Sequence, residues 1–241
     1  MIRTNLLDRR VNRERGEGMD WGFILAHVPD FAAGAWVTLR FGLYGIGCSL
    51  VLGMLCCLIR FFRVPLLRSL VHAYIELARN TPLLVQLFFL YAGLPRMGVR
   101  LSAEACAVIG LTFLGGAYMA EAFRSGLESV DRAQKEAGEC LGLTRGQNIR
   151  YVLLPQAVAT ASPALFANGI FLLKETGVFS VLSLMDLMNV ADTLRTSGGK
   201  TVEVLFLLVG AYVALLLPVS LAATWTERRL KYAGFGDQRP V

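Results

Sequence analysis

The first residues to test for chemistry are Ser197-Gly198-Gly199-Lys200-Thr201, which mimic the end of a phosphate-binding loop. Such a loop needs a glycine five positions before Gly199, and Leu194 stands there. It also needs a preceding strand, whereas an uncharged apolar run follows at once. No nucleotide site is therefore assigned to this chain. His27 and His72 are isolated, and the five cysteines, Cys48, Cys56, Cys57, Cys106 and Cys140, show no metal-type spacing. No metal site and no disulfide framework are expected, and the cysteines read as small apolar packing residues. No nucleophile, acid and base are grouped for enzyme chemistry, so no catalytic residue is assigned.

A polar stretch over residues 124–150 is too charged to lie in lipid and reads as two short helices. Asp131 caps the first, with Gln134 three residues on as an approximate capping box. That helix covers roughly 132–141 and ends at Gly142, a natural C-cap. Thr144 caps the second, with Gln147 at its third position, and this helix runs to Leu154 before Pro155. The result is a surface elbow suited to docking a soluble partner. Elsewhere Glu76 and Arg79 can pair at i, i+3. Thr81 and Pro82 follow; Pro82 lacks a donor and is expected to kink its helix, with Gln86 one turn beyond facing a pore, and Arg79, Thr81, Pro82 and Gln86 are candidates for a translocation path or gate. Lys174 and Glu175 abut an apolar segment, with Thr176 next. Either they line a route or gate, or they form an interfacial ion pair that fixes the following turn, since a Lys near a helix end snorkels cheaply. Phe179, Met185 and Met188 read as packing.

The elements that position these residues follow from composition. Of 241 residues, 55% are hydrophobic and 17% charged, against about 25% charged in ordinary soluble domains. Mean hydropathy is +0.53. The net charge of +6 flanks apolar segments rather than forming a basic face, so nucleic acid is not an expected partner. Five uncharged blocks occur: residues 41–59, 80–95, 105–120, 151–173 and 204–226. A membrane-spanning helix needs about 20 residues. The first, fourth and fifth blocks suffice, while the second and third must extend through charged ends. Five spanning helices are expected, and no alternating pattern suggests strands. With the N-terminus outside, the inner segments carry 13 Lys and Arg residues and the outer loops 4, with five more among the first 20 residues. That bias places the tail beyond Arg228 in the cytoplasm. Residues 1–18 are polar, without the apolar region of a signal peptide, and Met19 is an alternative start. Gly45, Ser49 and Gly53 form a small-residue row for helix packing.

Residues 136–155, EAGECLGLTRGQNIRYVLLP, resemble the EAA motif of bacterial ABC importer permeases. Glu136, Ala137, Gly142, Leu154 and Pro155 match it; Gly138 stands where Ala is usual, and Val152 where Ile is usual. Residues 74–95, YIELARNTPLLVQLFFLYAGLP, are similar to permeases of the histidine, glutamine and arginine type, with Asn80 in place of Gly. Lys174-Glu175-Thr176-Gly177 resembles the Lys-Asp-(Thr/Ser)-Ser stretch of that family, and residues 19–24 resemble its N-terminus. The resemblance covers about residues 19–232. It implies an all-α permease domain over 19–241, in which the loop at 124–155 is a coupling helix set into a groove of an ATPase subunit. It further implies ATP and Mg held by that ATPase, an identical or paralogous permease protomer, an extracytoplasmic amino-acid-binding protein, and a bacterial inner-membrane location. A secondary transporter would show internal repeats and more spans; a membrane scaffold would not need the elbow. Which amino acid is carried is not legible, because in this family specificity lies largely in the binding protein.

Overall fold

The computed structural model describes residues 19–230 apart from Gly199, so the segment 1–18 and the tail beyond 230 lie outside the described residues. Every regular element among the described residues is helical. α1 runs over Trp21–Phe61, much longer than the expected block of 41–59. Asp20 caps it, accepting from the Phe23 N–H at 2.9 Å. The helix passes through Pro29 and Arg40. Arg40 is tolerated because its guanidinium rests over the rings of Phe41 and Tyr44, which supply a cation–π surface. At 1.5 Å per residue, its 41 residues extend about 61 Å, roughly twice the hydrocarbon thickness.

The second expected span is not one helix. α2 (Leu67–Arg79) and α3 (Leu83–Phe88) are separated by a break at Asn80, Thr81 and Pro82, and α3 continues through a π turn and a 3-10 turn to Met97. Pro82 has no N–H to continue α2, and it fits the start of the next helix instead. The break thus replaces the expected kink. Four helices are long and apolar enough to cross a membrane, Trp21–Phe61, Ala103–Glu128, Arg145–Leu182 and Thr201–Arg229, whereas Leu83–Met97 is shorter.

α4 (Ala103–Glu128) is the central helix, its Ser102 cap accepting from the Ala105 N–H. It passes Glu121, Arg124 and Glu128 before ending, as a short apolar block must. Arg60 of α1 and Arg124 both pair with Glu121, and Arg124 also pairs with Glu128. α1 and α4 meet along the small-residue row. Gly45 lies against Leu111, and a Cβ on Gly53 would stand 2.5 Å from the Met119 Cβ and 2.8 Å from the Ala120 nitrogen. Ser49 donates to the carbonyls of Gly45 and Leu111, and Gly115 accepts its close approach. Small side chains allow this depth of contact.

α5 (Arg132–Cys140) and α6 (Arg145–Asn148) form the elbow. α6 passes through a π turn, Ile149–Leu153, into α7 (Leu154–Glu175) and a 3-10 turn, Thr176–Leu182. Pro155 does not end this helix, as the sequence suggested. A proline loses its bond to the residue four back and crowds that carbonyl, and a widened π turn just before it relieves both. The Leu154 N–H bonds to the Ile149 carbonyl in that turn. α8 (Leu187–Gly198) and α9 (Thr201–Leu230) follow. At the end of the bundle opposite the elbow, Asp20 pairs with Lys200, and its backbone N–H reaches Glu203. Lys200 holds the Asp20 carboxyl below the usual carboxylate range.

Candidate functional site

The elbow closes as its residue types require. The Asp131 carboxylate accepts from the Ala133 N–H at 2.9 Å, while the expected return from the Gln134 side chain is not formed. At the other end, Gly142 adopts φ +79°. The Gly142 N–H bonds to the Glu139 carbonyl and the Leu143 N–H to the Gly138 carbonyl, which together make a Schellman stop. Thr144 and Gln147 form a complete capping box at the start of α6. Two residues after Gly142 the next helix is already capped, so the turn is tight.

The two faces of α5 differ. Glu136, Ala137, Cys140 and Leu141 are exposed, Leu141 at 81%. Among the described residues Glu136 pairs only with Arg132, one turn earlier and also at the surface. Gly138 is buried on the opposite side, where a Cβ would come within 2.5 Å of the Asn148 Oδ1. Asn148 is 2% exposed and donates from Nδ2 to the Lys135 carbonyl at 2.8 Å. Gly138 therefore serves the closure of the elbow, and Glu136 and Ala137 face outward. Val152, Leu154 and Pro155 are half-buried along the π turn and the start of α7, and they fasten the elbow to that long helix. Sequence reading missed Asn148, because nothing local links it to a glycine ten residues earlier. It also missed Leu141, whose apolar character hid its exposure.

The second group of candidates centres on the α2–α3 break. Thr81 Oγ1 donates to the Leu77 carbonyl at 2.8 Å. Gln86 turns back on the break and donates from Nε2 to Thr81 Oγ1 at 2.9 Å, to the Thr81 carbonyl at 3.1 Å and to the Ala78 carbonyl at 3.2 Å. It staples the broken helix rather than projecting freely. Glu76 and Arg79 do not pair. Arg79 lies over the Tyr118 ring at 5.5 Å, and Glu76 accepts from Asn80. Tyr118 in turn stacks near Phe171 of α7, and its carbonyl accepts from Asn168.

Lys174 is exposed, Glu175 is half-buried, and the two form no ion pair, which removes the interfacial pair expected from sequence. Adjacent residues on a helix diverge by about 100°, so a mutual bond is unfavourable. Thr176 is fully buried and donates to the Leu173 carbonyl at 2.7 Å. No hydrogen bond or ion pair joins Arg79, Thr81, Pro82 or Gln86 to Lys174, Glu175 or Thr176.

Asp186, also missed, lies outside the four long helices and is fully buried. Its Oδ1 accepts from the Asn189 N–H at 3.1 Å and caps α8, while Oδ2 has no hydrogen-bond partner among the described residues. Burial raises its pKa from 3.8 to about 6. An acid three residues before Asn189, just ahead of a helical run, was the readable signal for this cap.

Comparison with known proteins bears on the elbow and on the bundle together. Residues 46–232 match the family described as binding-protein-dependent transport system inner membrane component. The chain is 34% identical over 219 residues to the probable amino-acid ABC transporter permease PatM of Vibrio harveyi, covering 90% of this chain and 98% of that protein. It is 31% identical to the glutamine transport system permease GlnP of Escherichia coli K12, covering 88% and 98%. A crystal structure of an amino acid ABC transporter with histidines superposes with a TM-score of 0.82 at 31% identity, covering 88% of this chain and all of that one. The inward-facing MetNI methionine ABC transporter shares the fold, with a TM-score of 0.70 at 20% identity over 85% of this chain and 98% of that one. The permease fold and the sequence match thus agree over nearly all the described residues, and the chain belongs to the binding-protein-dependent transport system inner membrane components, as a multi-pass ABC transporter permease.

Proposed function

We propose that this chain is the membrane-spanning permease of an ATP-driven importer for a polar amino acid. ATP and Mg are bound by separate ATPase subunits, and the substrate arrives on an extracytoplasmic binding protein. Two permease protomers, identical or paralogous, line the route. The N-terminus lies outside, and the elbow and C-terminal tail lie in the cytoplasm of a bacterial cell. The observation that carries this reading is the elbow: a tight, doubly capped turn that presents Glu136, Ala137 and Leu141 outward and continues without interruption from Arg145 to Leu182. A displacement imposed on such an elbow by ATPase closure passes into a spanning helix. The amino-acid class is supported by the names of the relatives and by the crystal structure at 31% identity.

The charge distribution supports the orientation. The elbow end of the bundle gathers Arg60, Arg124, Lys135 and Arg145, while Asp20, Lys200 and Glu203 meet at the other end. Arg79, Thr81, Pro82, Gln86, Lys174, Glu175 and Thr176 remain the proposed residues of the route or gate. Arg79 and Gln86 act on it by fixing the helix break, and Lys174 by offering a charge at a span end.

The test is ATPase stimulation and uptake in proteoliposomes containing all subunits. Gly142→Val forces a β-branched residue into φ > 0, and Ala137→Arg places a long cation on the outward face. Both variants should insert normally yet lose at least tenfold in stimulation by the loaded binding protein. Full stimulation and full uptake in both would show that the elbow does not couple.

A further inference from the structure

A cavity of about 710 Å³ opens at the elbow end of the bundle. It lies between the α1–α2 corner, the end of α4 and the inward side of the elbow, away from the exposed Glu136 and Ala137 face. Its wall carries six basic residues and two acidic ones, Glu128 and Glu139. Arg60 and Arg124 are already engaged with Glu121 and Glu128. Among the described residues Arg63, Arg68, Lys135 and Arg145 form no ion pair, and of the two acids in the wall Glu139 alone has no ion-pair partner there. Cations gathered this way repel one another and leave an excess positive field, which an anion relieves.

The surroundings identify the anion. Phe62 and Leu66 at the corner are 58% and 77% exposed, and Leu67 and Leu70 beside them are also exposed. The uncharged part of α1 ends at Arg60, so the corner cations Arg63 and Arg68 stand where hydrocarbon gives way to headgroups. The corner itself is held in an unfavourable backbone. Arg63 has φ 52° and Leu66 φ 63°, neither of them glycine. Backbone strain of that kind persists where surrounding contacts or a ligand over-determine it. A soluble anion accounts for the cations but not for the apolar rim. An acidic surface of a docked ATPase subunit would meet the elbow on its exposed face, which points away from this cavity. A diacyl phospholipid with an anionic headgroup accounts for both the cations and the rim.

The geometry points to a headgroup seat for one anionic phospholipid, its phosphodiester held by Arg63, Arg68, Lys135 and Arg145 and its acyl chains lying along Phe62 and Leu66. Because the seat bridges the α1–α2 corner and the elbow, an occupied site ties the two together. Its test rests on the corner cations Arg63 and Arg68, which belong to neither the elbow nor the route, so its failure is distinguishable from a failure of the proposed coupling role.

The experiment uses the full-length chain with its co-purifying subunits, reconstituted in nanodiscs of phosphatidylethanolamine with or without phosphatidylglycerol. Bound lipid is counted by native mass spectrometry after transfer to detergent. One phosphatidylglycerol per chain is expected to remain. Removing two cations in the double variant Arg63→Gln/Arg68→Gln should weaken retention about 30-fold, because each basic residue near such a headgroup contributes about fivefold. The charge-keeping variant Arg63→Lys/Arg68→Lys should retain the lipid, and if the first variant fails to fold, the single variants Arg63→Gln and Arg68→Gln should each weaken retention about fivefold. Equal retention of phosphatidylethanolamine would overturn the proposal in favour of an apolar belt. Displacement by millimolar inorganic phosphate would assign the site to a soluble anion. Phosphatidylglycerol bound to the isolated chain but excluded from the assembled complex would assign it to the ATPase surface.

Discussion

At the scale of single residues, side chains here act mainly by where they permit close approach. Gly138 stands where the resembling family usually has Ala, and it does so against a buried Asn148 that a methyl group would strike at 2.5 Å. Gly138→Ala should therefore destabilise the elbow by about 1–3 kcal/mol through overpacking. Adding Asn148→Ala should recover part of that loss, a non-additivity that thermal unfolding of the four variants in detergent would measure. If the double variant is no better than the sum of the two single ones, the packing account fails. Asp186 gives a pH dependence. Its carboxyl has a pKa of about 6 when folded and about 3.8 when unfolded, so the folded state holds the proton more tightly. Stability should be full below about pH 4 and fall as pH rises through about 6, by on the order of 2–3 kcal/mol. Asp186→Asn should flatten that profile in a pH series of melting temperatures. The stop at Gly142 was legible from the sequence because a helix C-cap follows local rules, whereas Glu136 and Ala137 were singled out through the family resemblance. Asn148 was not, because its partner is fixed by tertiary closure.

At the scale of elements, the uncharged-block reading found every long helix but misjudged their ends. Charge was treated as the terminator of the first block, whereas α1 carries Arg40 over aromatic rings; α4 carries Glu121 between two arginines, the extension through charged ends that the third block required. A buried or interfacial charge with a partner does not stop a helix. The second block failed for a different reason. Pro82, together with the hydrogen bonds of Thr81 and Gln86, offers the backbone an alternative to continued helix. The α1–α4 contact supplies a sharp test. A side chain at Gly53 meets Met119 and the backbone of Ala120, while Gly47 on the same helix faces nothing within 4 Å. Gly53→Leu should lose several degrees or more of melting temperature and lower yield in membranes. Gly47→Leu should behave like the parent. Equal effects at both positions would show that the helices do not meet along this row.

At the scale of the whole molecule, the fold class and the all-helical membrane architecture were readable from composition and block lengths, because a bilayer leaves few alternatives for a backbone. Side assignment rests on charge. In a cysteine-free background, Lys135→Cys should react with a membrane-impermeant maleimide only after the membrane is opened, and Met97→Cys should react in intact cells. Labelling of position 135 from outside would invert the topology. Deletion of residues 2–18 should leave insertion and uptake intact, since the family resemblance and the apolar character begin near Met19 and that segment has no apolar run. The uninterrupted helix from Arg145 to Leu182 has one more consequence, which concerns length rather than chemistry. An α-helix turns 100° per residue. A single residue inserted anywhere along it would rotate every later side chain by about 100° relative to the elbow, and two would rotate them by about 200°. Seven would nearly restore the register, at the expense of about 10 Å of added length. The distance in sequence between the elbow and Thr176 is thus fixed in phase, so this stretch should accept substitutions freely at its outer face and reject insertions almost everywhere.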